Sequence, residues 1–127
     1  MGDTNNNELW TDKKRHLGLP ISFTRYTLKE DKLIVKRGFL NIVEDEVRLY
    51  RILDLGIRKP LGQRIFGVGT IEVHSSDKSL GDFEIEKVKD ASKVMELLSD
   101  KVEEERQKKR VFSRENMGED FDGDDDE

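Results

Sequence analysis

Between residues 21 and 89 the chain is a succession of short stretches in which apolar and polar residues alternate. Alternation with a period of two places every second side chain on one face of a β-strand. The stretches with this character are 21–28, 31–38, 41–60, 70–75 and 82–88. Six or seven short strands with few helices between them favour an antiparallel sandwich or barrel over a parallel α/β sheet.

Two interruptions divide the longest of these stretches. The alternation changes phase at Tyr50–Ile52, which predicts a bend, bulge or turn between two strands. Pro60 then ends the pairing, because proline has no N–H to donate to a neighbouring strand. The apolar residues after the proline have the spacing of one short helical turn, which we expect to pack on the barrel: Leu61, Ile65 and Phe66.

One long helix is predicted, at about residues 90–110. Asp90 is a suitable N-cap residue, and a single apolar stripe follows it at helical spacing. The stripe consists of Val94, Leu97, Leu98 and Val102. Beyond it, the pairs Glu104/Lys108 and Glu105/Lys109 have the favourable i,i+4 order and are expected to extend the helix as an exposed segment.

The two ends of the chain differ in character from the middle. Residues 1–8 are polar and predict a disordered N-terminus, while residues 113–127 are acidic and predict a disordered tail. Residues 9–112 are then expected to form one domain that includes the helix. Within its first segment, Trp10 and Leu17 are expected to pack against the body of this domain.

Composition narrows the function classes. A chain of 127 residues with 34% hydrophobic residues suits one domain with a modest core. The absence of cysteine excludes disulfides, thiolate zinc sites and a cysteine nucleophile, and is compatible with the reducing cytoplasm, where we expect this protein. No signal peptide and no apolar run of membrane-spanning length stands in the sequence.

Motifs that could carry chemistry are weak. The glycines at 67–69 lack the Lys-Ser/Thr of a P-loop and precede a strand, so a structural turn is the better interpretation. His16 and His74 have no metal-binding spacing. The aspartates at 120–124 lack the glycine and glutamate positions of a calcium loop. The sequence therefore predicts no catalytic residue, no cofactor site and no metal site.

Charge is distributed unevenly along the chain. Residues 12–64 hold 13 Lys/Arg against 7 Asp/Glu, while residues 65–127 hold 10 against 19. A basic half of this kind attracts phosphate groups or acidic partners, although solvated strand faces are the simpler interpretation. The candidate contacts for an anion or lipid are Arg25, Lys36, Arg37, Arg48, Arg58 and Lys59.

A nucleic-acid partner is disfavoured. Aromatic side chains that stack on bases beside Lys or Arg are the usual feature of single-strand binding. The aromatic residues near the candidate cations have strand spacing, which is more typical of a core: Trp10, Phe23, Tyr26 and Phe39.

The order of these segments resembles the bacterial PH-domain family over about residues 19 to 102. The similarity lies in three blocks and the helix that follows them. The blocks are Arg25-Tyr26-Thr27-Leu28 through Asp31 to Val35 and Arg37-Gly38; Val47-x-Leu49-x-x-Ile52-x-Asp54-Leu55-x-Ile57; and Arg64 to Ile71. The resemblance implies a bent antiparallel barrel of about seven strands in two nearly orthogonal sheets, closed by one C-terminal helix. It also implies a binding or scaffolding module without catalytic activity.

Two features depart from the relatives that this resemblance suggests. Many bacterial members carry attached transmembrane helices, and none is predicted here. Phosphoinositide-binding PH domains use several Lys/Arg around the first hairpin loop, whereas the turn taken as that loop, residues 29–32, holds two charges of each sign. The sequence therefore favours a module for protein–protein interaction or self-association, using an exposed strand edge or the helix flank. Peripheral binding to anionic membrane lipid through the basic strands is the alternative.

Overall fold

The structure, a computed structural model, describes the backbone of residues 8–120 and the side chains of residues 8–114. Seven strands, two helices and a short 3₁₀ turn at Leu49–Arg51 make up these residues. In chain order the strands and helices are β1 (Glu8–Lys13), β2 (Thr24–Lys29), β3 (Lys32–Arg37), β4 (Val43–Arg48), β5 (Ile52–Arg58), α1 (Leu61–Ile65), β6 (Val68–Ser75), β7 (Phe83–Lys89) and α2 (Ala91–Asp120).

The strands form two antiparallel sheets. The first has the order β1-β2-β3-β4 and the second has the order β5-β6-β7. Within each sheet, every strand pairs with its neighbour in the chain, so each sheet is a meander of antiparallel hairpins. The predicted mainly-β architecture with seven strands in two sheets and one long C-terminal helix is confirmed.

The core lies between the two sheets and under α2. Leu33 and Val47 of the first sheet and Ile71 and Ile85 of the second are fully buried. The predicted stripe of α2 covers this core, with Val94, Leu98 and Val102 buried and Leu97 half-buried. The helix therefore supplies one wall of the core, which explains why its apolar period stops at residue 102.

Helix α2 closes the corner between β4 and β5, where the chain passes from one sheet to the other. The helix begins against β6, where a side chain at Gly69 would place its Cβ only 2.9 Å from the Cβ of Ala91. Farther along, Lys101 Nζ lies 3.0 Å from Glu30 Oε1 in the β2–β3 turn. Arg106 donates a hydrogen bond to the carbonyl of Ile52 at the start of β5. The helix thus runs from one end of the barrel to the other.

A β-bulge in β7 closes the opposite corner. Gly69 pairs with Val88 and Ile71 pairs with Ile85, so two residues of β7 stand opposite Thr70 alone. One of the two, Lys87, adopts a left-handed φ of 51°. Such a bulge disrupts the ladder and leaves backbone N–H groups without a strand partner.

Three side-chain oxygens accept hydrogen bonds from the backbone of this part of β7. The bonds run from Glu86 N–H to Tyr26 Oη (3.0 Å), from Lys87 N–H to Thr70 Oγ1 (3.2 Å) and from Lys89 N–H to Asp12 Oδ2 (3.0 Å). Tyr26 and Asp12 belong to the first sheet, so two of these bonds also join the sheets. A further bond from Arg15 N–H to the Lys87 carbonyl (2.9 Å) completes this corner.

The N-terminal segment differs from its prediction. Residues 8–13 form β1, the edge strand of the first sheet, where no strand was predicted. Trp10 packs against the core as expected, but Leu17 is 69% exposed. Of the predicted disordered N-terminus, Glu8 therefore belongs to β1, and residues 1–7 lie outside the described residues.

Helix α2 is longer than predicted. It continues to Asp120 instead of ending near residue 110, so residues 113–120 of the predicted disordered tail are helical. Glu, Lys, Arg and Gln are good helix formers, which explains continuation without an apolar stripe. Residues 121–127 lie outside the described residues. The ion pair seen in this stretch joins Lys108 to Glu105 at i,i+3, at 3.2 Å, in place of the predicted i,i+4 pairs.

We expect Leu98→Ala to lower the free energy of unfolding by about 2–5 kcal/mol, because the side chain is 1% exposed and its loss leaves a cavity under α2. Ser99→Ala, at the neighbouring exposed position, is the matched control and should change it by less than about 0.5 kcal/mol. Urea denaturation followed by circular dichroism measures both. Equal effects for the two variants would contradict the assignment of the helix's buried face.

Burial raises the pKa of Tyr26 to about 12, and this outweighs the Glu86 N–H bond, which favours the phenolate. The folded state therefore prefers the neutral phenol, so the Tyr26 contribution is complete below pH 10 and is lost as the pH rises through about 12. Tyr26→Phe leaves the Glu86 N–H without its acceptor and should cost about 1–3 kcal/mol at pH 8.

Above pH 10 the stability gap between the wild type and Tyr26→Phe should shrink by up to about 1.4 kcal/mol per pH unit. The reason is that the unfolded wild-type chain ionises this phenol while the folded chain does not. Denaturation at several pH values between 8 and 11 checks this. A constant gap over that range would show that Tyr26 ionises equally well in both states.

Candidate binding surface

Three connections of the barrel meet at one end. They are the β1–β2 loop (residues 14–23), the β3–β4 loop (residues 38–42) and the β5–β6 connection (residues 59–67), which contains α1. The antiparallel register of the strands places all three at the end where α2 begins.

Direct contacts join the three connections. Gly38 N–H donates to the carbonyl of Phe23 at 3.1 Å, and the rings of Phe23 and Phe39 lie 4.8 Å apart. Gly18 lies against Phe66, where an added Cβ would be 3.4 Å from the Phe66 Cβ. The loops therefore form one continuous surface.

This surface, which we call the apolar end, carries eleven exposed large apolar side chains. They are Leu17, Leu19, Ile21, Phe23, Phe39, Leu40, Ile42, Val43, Leu61, Ile65 and Phe66. Leu40 is 91% exposed. Single exposed apolar residues are ordinary, but an adjoining group of this kind marks a binding surface.

Part of this surface is visible in the sequence as the apolar residues after Pro60, whose spacing predicts a helical turn packed on the barrel. The α1 turn was predicted correctly, but Leu61, Ile65 and Phe66 point to solvent instead of packing on the barrel. The strand spacing of Phe23 and Phe39 predicts core positions, but both side chains are also exposed. Several of the apolar residues stand beside Gly, Pro or Asn in loops, where no sheet is available to bury them.

Two of the six predicted anion contacts lie side by side. Arg25 on β2 and Lys36 on β3 are cross-strand partners, and both are exposed. Lys13 on β1 is the partner of Arg25 on its other side and extends the set to three. We call Lys13, Arg25 and Lys36 the cation row. Sequence reasoning missed Lys13 because it did not predict β1.

The other four candidates do not join this row. Three of them form ion pairs at 2.9 to 3.1 Å: Arg37 with Asp45, Arg48 with Asp31, and Arg58 with both Glu72 and Glu84. Lys59 donates to Ser92 Oγ at 2.5 Å. Arg48 lies at the end of the barrel opposite the apolar end, and Arg58 lies on the second sheet. The six residues are therefore not one site.

The first hairpin loop is not the one assumed from the sequence. Because β1 precedes β2, the first hairpin is β1–β2, and residues 29–32 form the second turn. The true first loop contains Lys14 and Arg15. Lys14 Nζ lies 2.6 Å from Glu86 Oε1, and Arg15 Nη2 lies 3.1 Å from Asp12 Oδ1, so both cations already have carboxylate partners.

The histidines lie apart on the surface. His16 is exposed in the β1–β2 loop, and exposed His74 lies 3.2 Å from Asp82 Oδ2. That hydrogen bond to Asp82 raises the pKa of His74. Among the described side chains, those of residues 8–114, no three His, Asp or Glu are grouped to hold a metal ion.

Two clefts of about 210 and 340 Å³ flank α2. The smaller lies against β5 and the larger against β1, and no histidine lines either one. None of the helices in the described part of the chain has the length and apolarity needed to cross a bilayer.

Comparison with known proteins agrees with the architecture. No curated protein and no solved structure matches the chain. A family model described as the bacterial PH domain matches residues 18–102, which run from the β1–β2 loop to the last buried residue of α2. PH domains are generally non-catalytic binding modules. This chain, with its seven strands in two sheets and its closing C-terminal helix, belongs to the bacterial PH-domain family.

Proposed function

We propose that this protein is a non-catalytic binding module that attaches to anionic membrane surfaces through its apolar end. The observation that carries the proposal is the group of eleven exposed apolar side chains on three adjoining loops at one end of the barrel. The sequence led us to expect a protein partner first and anionic lipid second. The placement of these side chains favours the lipid.

A lipid surface suits this geometry because it accepts several loop tips at once. Residues 39–43, 17–23 and 61–66 lie at the same end, so they can approach one plane together. Full burial of a large apolar side chain is worth about 1.5–3 kcal/mol. A few such residues in the acyl region would therefore provide binding without shape complementarity to a partner.

The charges near the apolar end fit an anionic lipid. The cation row lies on the outer face of the first sheet, toward that end, since Lys13 and Lys36 stand at or near the ends of their strands. A Lys or Arg near an anionic leaflet contributes about 1 kcal/mol. The cytoplasmic leaflet is the anionic one, which agrees with the cytoplasm expected from the sequence.

An exposed apolar group also suits a protein interface, and a protein partner is the competing occupant. The two are distinguishable because lipid binding requires no second protein. Binding of the purified chain to protein-free vesicles would support the membrane. Failure to bind vesicles would favour a protein partner at the apolar end.

The test is vesicle flotation with neutral vesicles and with vesicles containing phosphatidylserine. We expect the wild type to float with the anionic vesicles, and less at high salt. The double variant Phe39→Ser and Leu40→Ser should bind at least about tenfold more weakly, because it removes two exposed loop-tip side chains. Leu53→Ser is the matched control, since Leu53 is 60% exposed on β5, away from the apolar end.

Equal flotation of the double variant and the Leu53→Ser control would exclude the apolar end as the lipid contact. Since all the exchanged residues are exposed, the variants are expected to keep the wild-type fold. Circular dichroism and urea denaturation check that they do.

A further inference from the structure

A row of cross-strand cations and a concentrated run of acidic residues lie at opposite ends of this molecule. The cation row stands near the end where α2 begins, since Asp12, next to Lys13, bonds Lys89 just before the helix. Residues 119–127 follow at the far end of α2 and contain seven Asp/Glu and no Lys/Arg. This separation favours contact of the acidic segment with the row of another copy over contact with the row of its own chain.

We propose that the chain associates head to tail, with the acidic segment 119–127 of one copy bound to the cation row of a second copy. This inference does not depend on the membrane proposal, because it needs no lipid. Self-association is one of the functions that the sequence favours. Here the cation row is the contact surface, and residues 119–127 of another copy occupy it.

The cation row is suited to an acidic ligand. Its three side chains are cross-strand neighbours, and directly opposed like charges destabilise a sheet. None of the three forms an ion pair with a described residue, although Glu44 is the register neighbour of Lys36. Arg25 reaches only a hydroxyl, Thr11 Oγ1 at 3.1 Å. A carboxylate-rich segment would relieve this repulsion.

Two other basic residues on the outer face of the first sheet, Lys32 and Arg48, contrast with the row. Lys32 lies 3.5 Å from Glu46, and Arg48 lies 3.0 Å from Asp31. The sheet thus supplies carboxylates to Lys32 and Arg48 and none to the row. The row is therefore the part of this face that gains most from an external anion.

The length of α2 prevents the acidic segment from reaching the row of its own chain. The helix has 30 residues and is about 45 Å long. The seven residues after Asp120 span at most about 25 Å even when fully extended. They cannot retrace the helix to the end where it began. A second copy is therefore the occupant that the covalent geometry allows.

A contact between two different surfaces of one chain is heterologous, and it does not close on itself unless the geometry forms a ring. Association should therefore grow with concentration instead of stopping at a dimer. Because exposed charges form it, it should weaken as salt screens them.

Light scattering over a range of protein concentrations, without lipid, tests the proposal. The wild type should show a mass that rises with concentration at low salt and returns to the monomer at high salt. Two variants should stay monomeric, with association weakened about tenfold or more. The first neutralises the segment with Asp122→Asn, Asp124→Asn, Asp125→Asn and Asp126→Asn, and the second neutralises the row with Lys13→Gln, Arg25→Gln and Lys36→Gln.

Mixing the two variants supplies the decisive result. The variant with the neutralised segment keeps an intact row, and the variant with the neutralised row keeps an intact acidic segment. The mixture should therefore form one-to-one complexes that neither variant forms alone. The matched control, Glu96→Gln with Asp100→Asn, removes two exposed acids from the middle of α2 and should associate like the wild type.

Three outcomes would overturn the proposal. They are a wild type that is monomeric at low salt, association that survives neutralisation of the segment, and a mixture that fails to form complexes. Association that persists at high salt and is lost in Phe39→Ser with Leu40→Ser would assign the contact to the apolar end instead.

Discussion

Hydrogen bonds around the bulge in β7 hold the two sheets of this protein together. Tyr26, Thr70 and Asp12 supply the oxygens that its displaced N–H groups require. A buried N–H without an acceptor costs about 1–3 kcal/mol. Because Tyr26 and Asp12 come from the first sheet, the same bonds that satisfy β7 also hold the two sheets together.

This corner and the helix together determine which end of the barrel stays open. Asp12 fixes β1 beside β7, and the Lys14–Glu86 ion pair continues the contact into the β1–β2 loop. Helix α2 covers the other corner and leaves the three loops of the apolar end uncovered. The exposure of the apolar end is thus a consequence of how the two corners close.

The sequence was sufficient to predict the elements whose apolar residues recur with a regular period. Strands β2 to β7 and the stripe of α2 follow from period alone. The phase change predicted at Tyr50–Ile52 lies one residue beyond the observed 3₁₀ turn at Leu49–Arg51. Strand β1 was missed because Asp12 points inward where the pattern calls for an apolar residue, and its role is visible only beside Lys89.

The cation row was only partly predicted, since cross-strand neighbours depend on register, and Lys13 belongs to the missed strand. The apolar end was missed because hydrophobicity alone does not distinguish a core residue from an exposed one.

A site-specific probe shows whether the apolar end enters a lipid surface, as we propose. The chain contains no cysteine, so Leu40→Cys and Ser79→Cys each give a single labelling position, at opposite ends of the barrel. With an environment-sensitive fluorophore and anionic vesicles, we expect a blue shift and quenching by lipid-borne quenchers at position 40 and neither at position 79. The same response at both positions, or a response at position 79 alone, would contradict it.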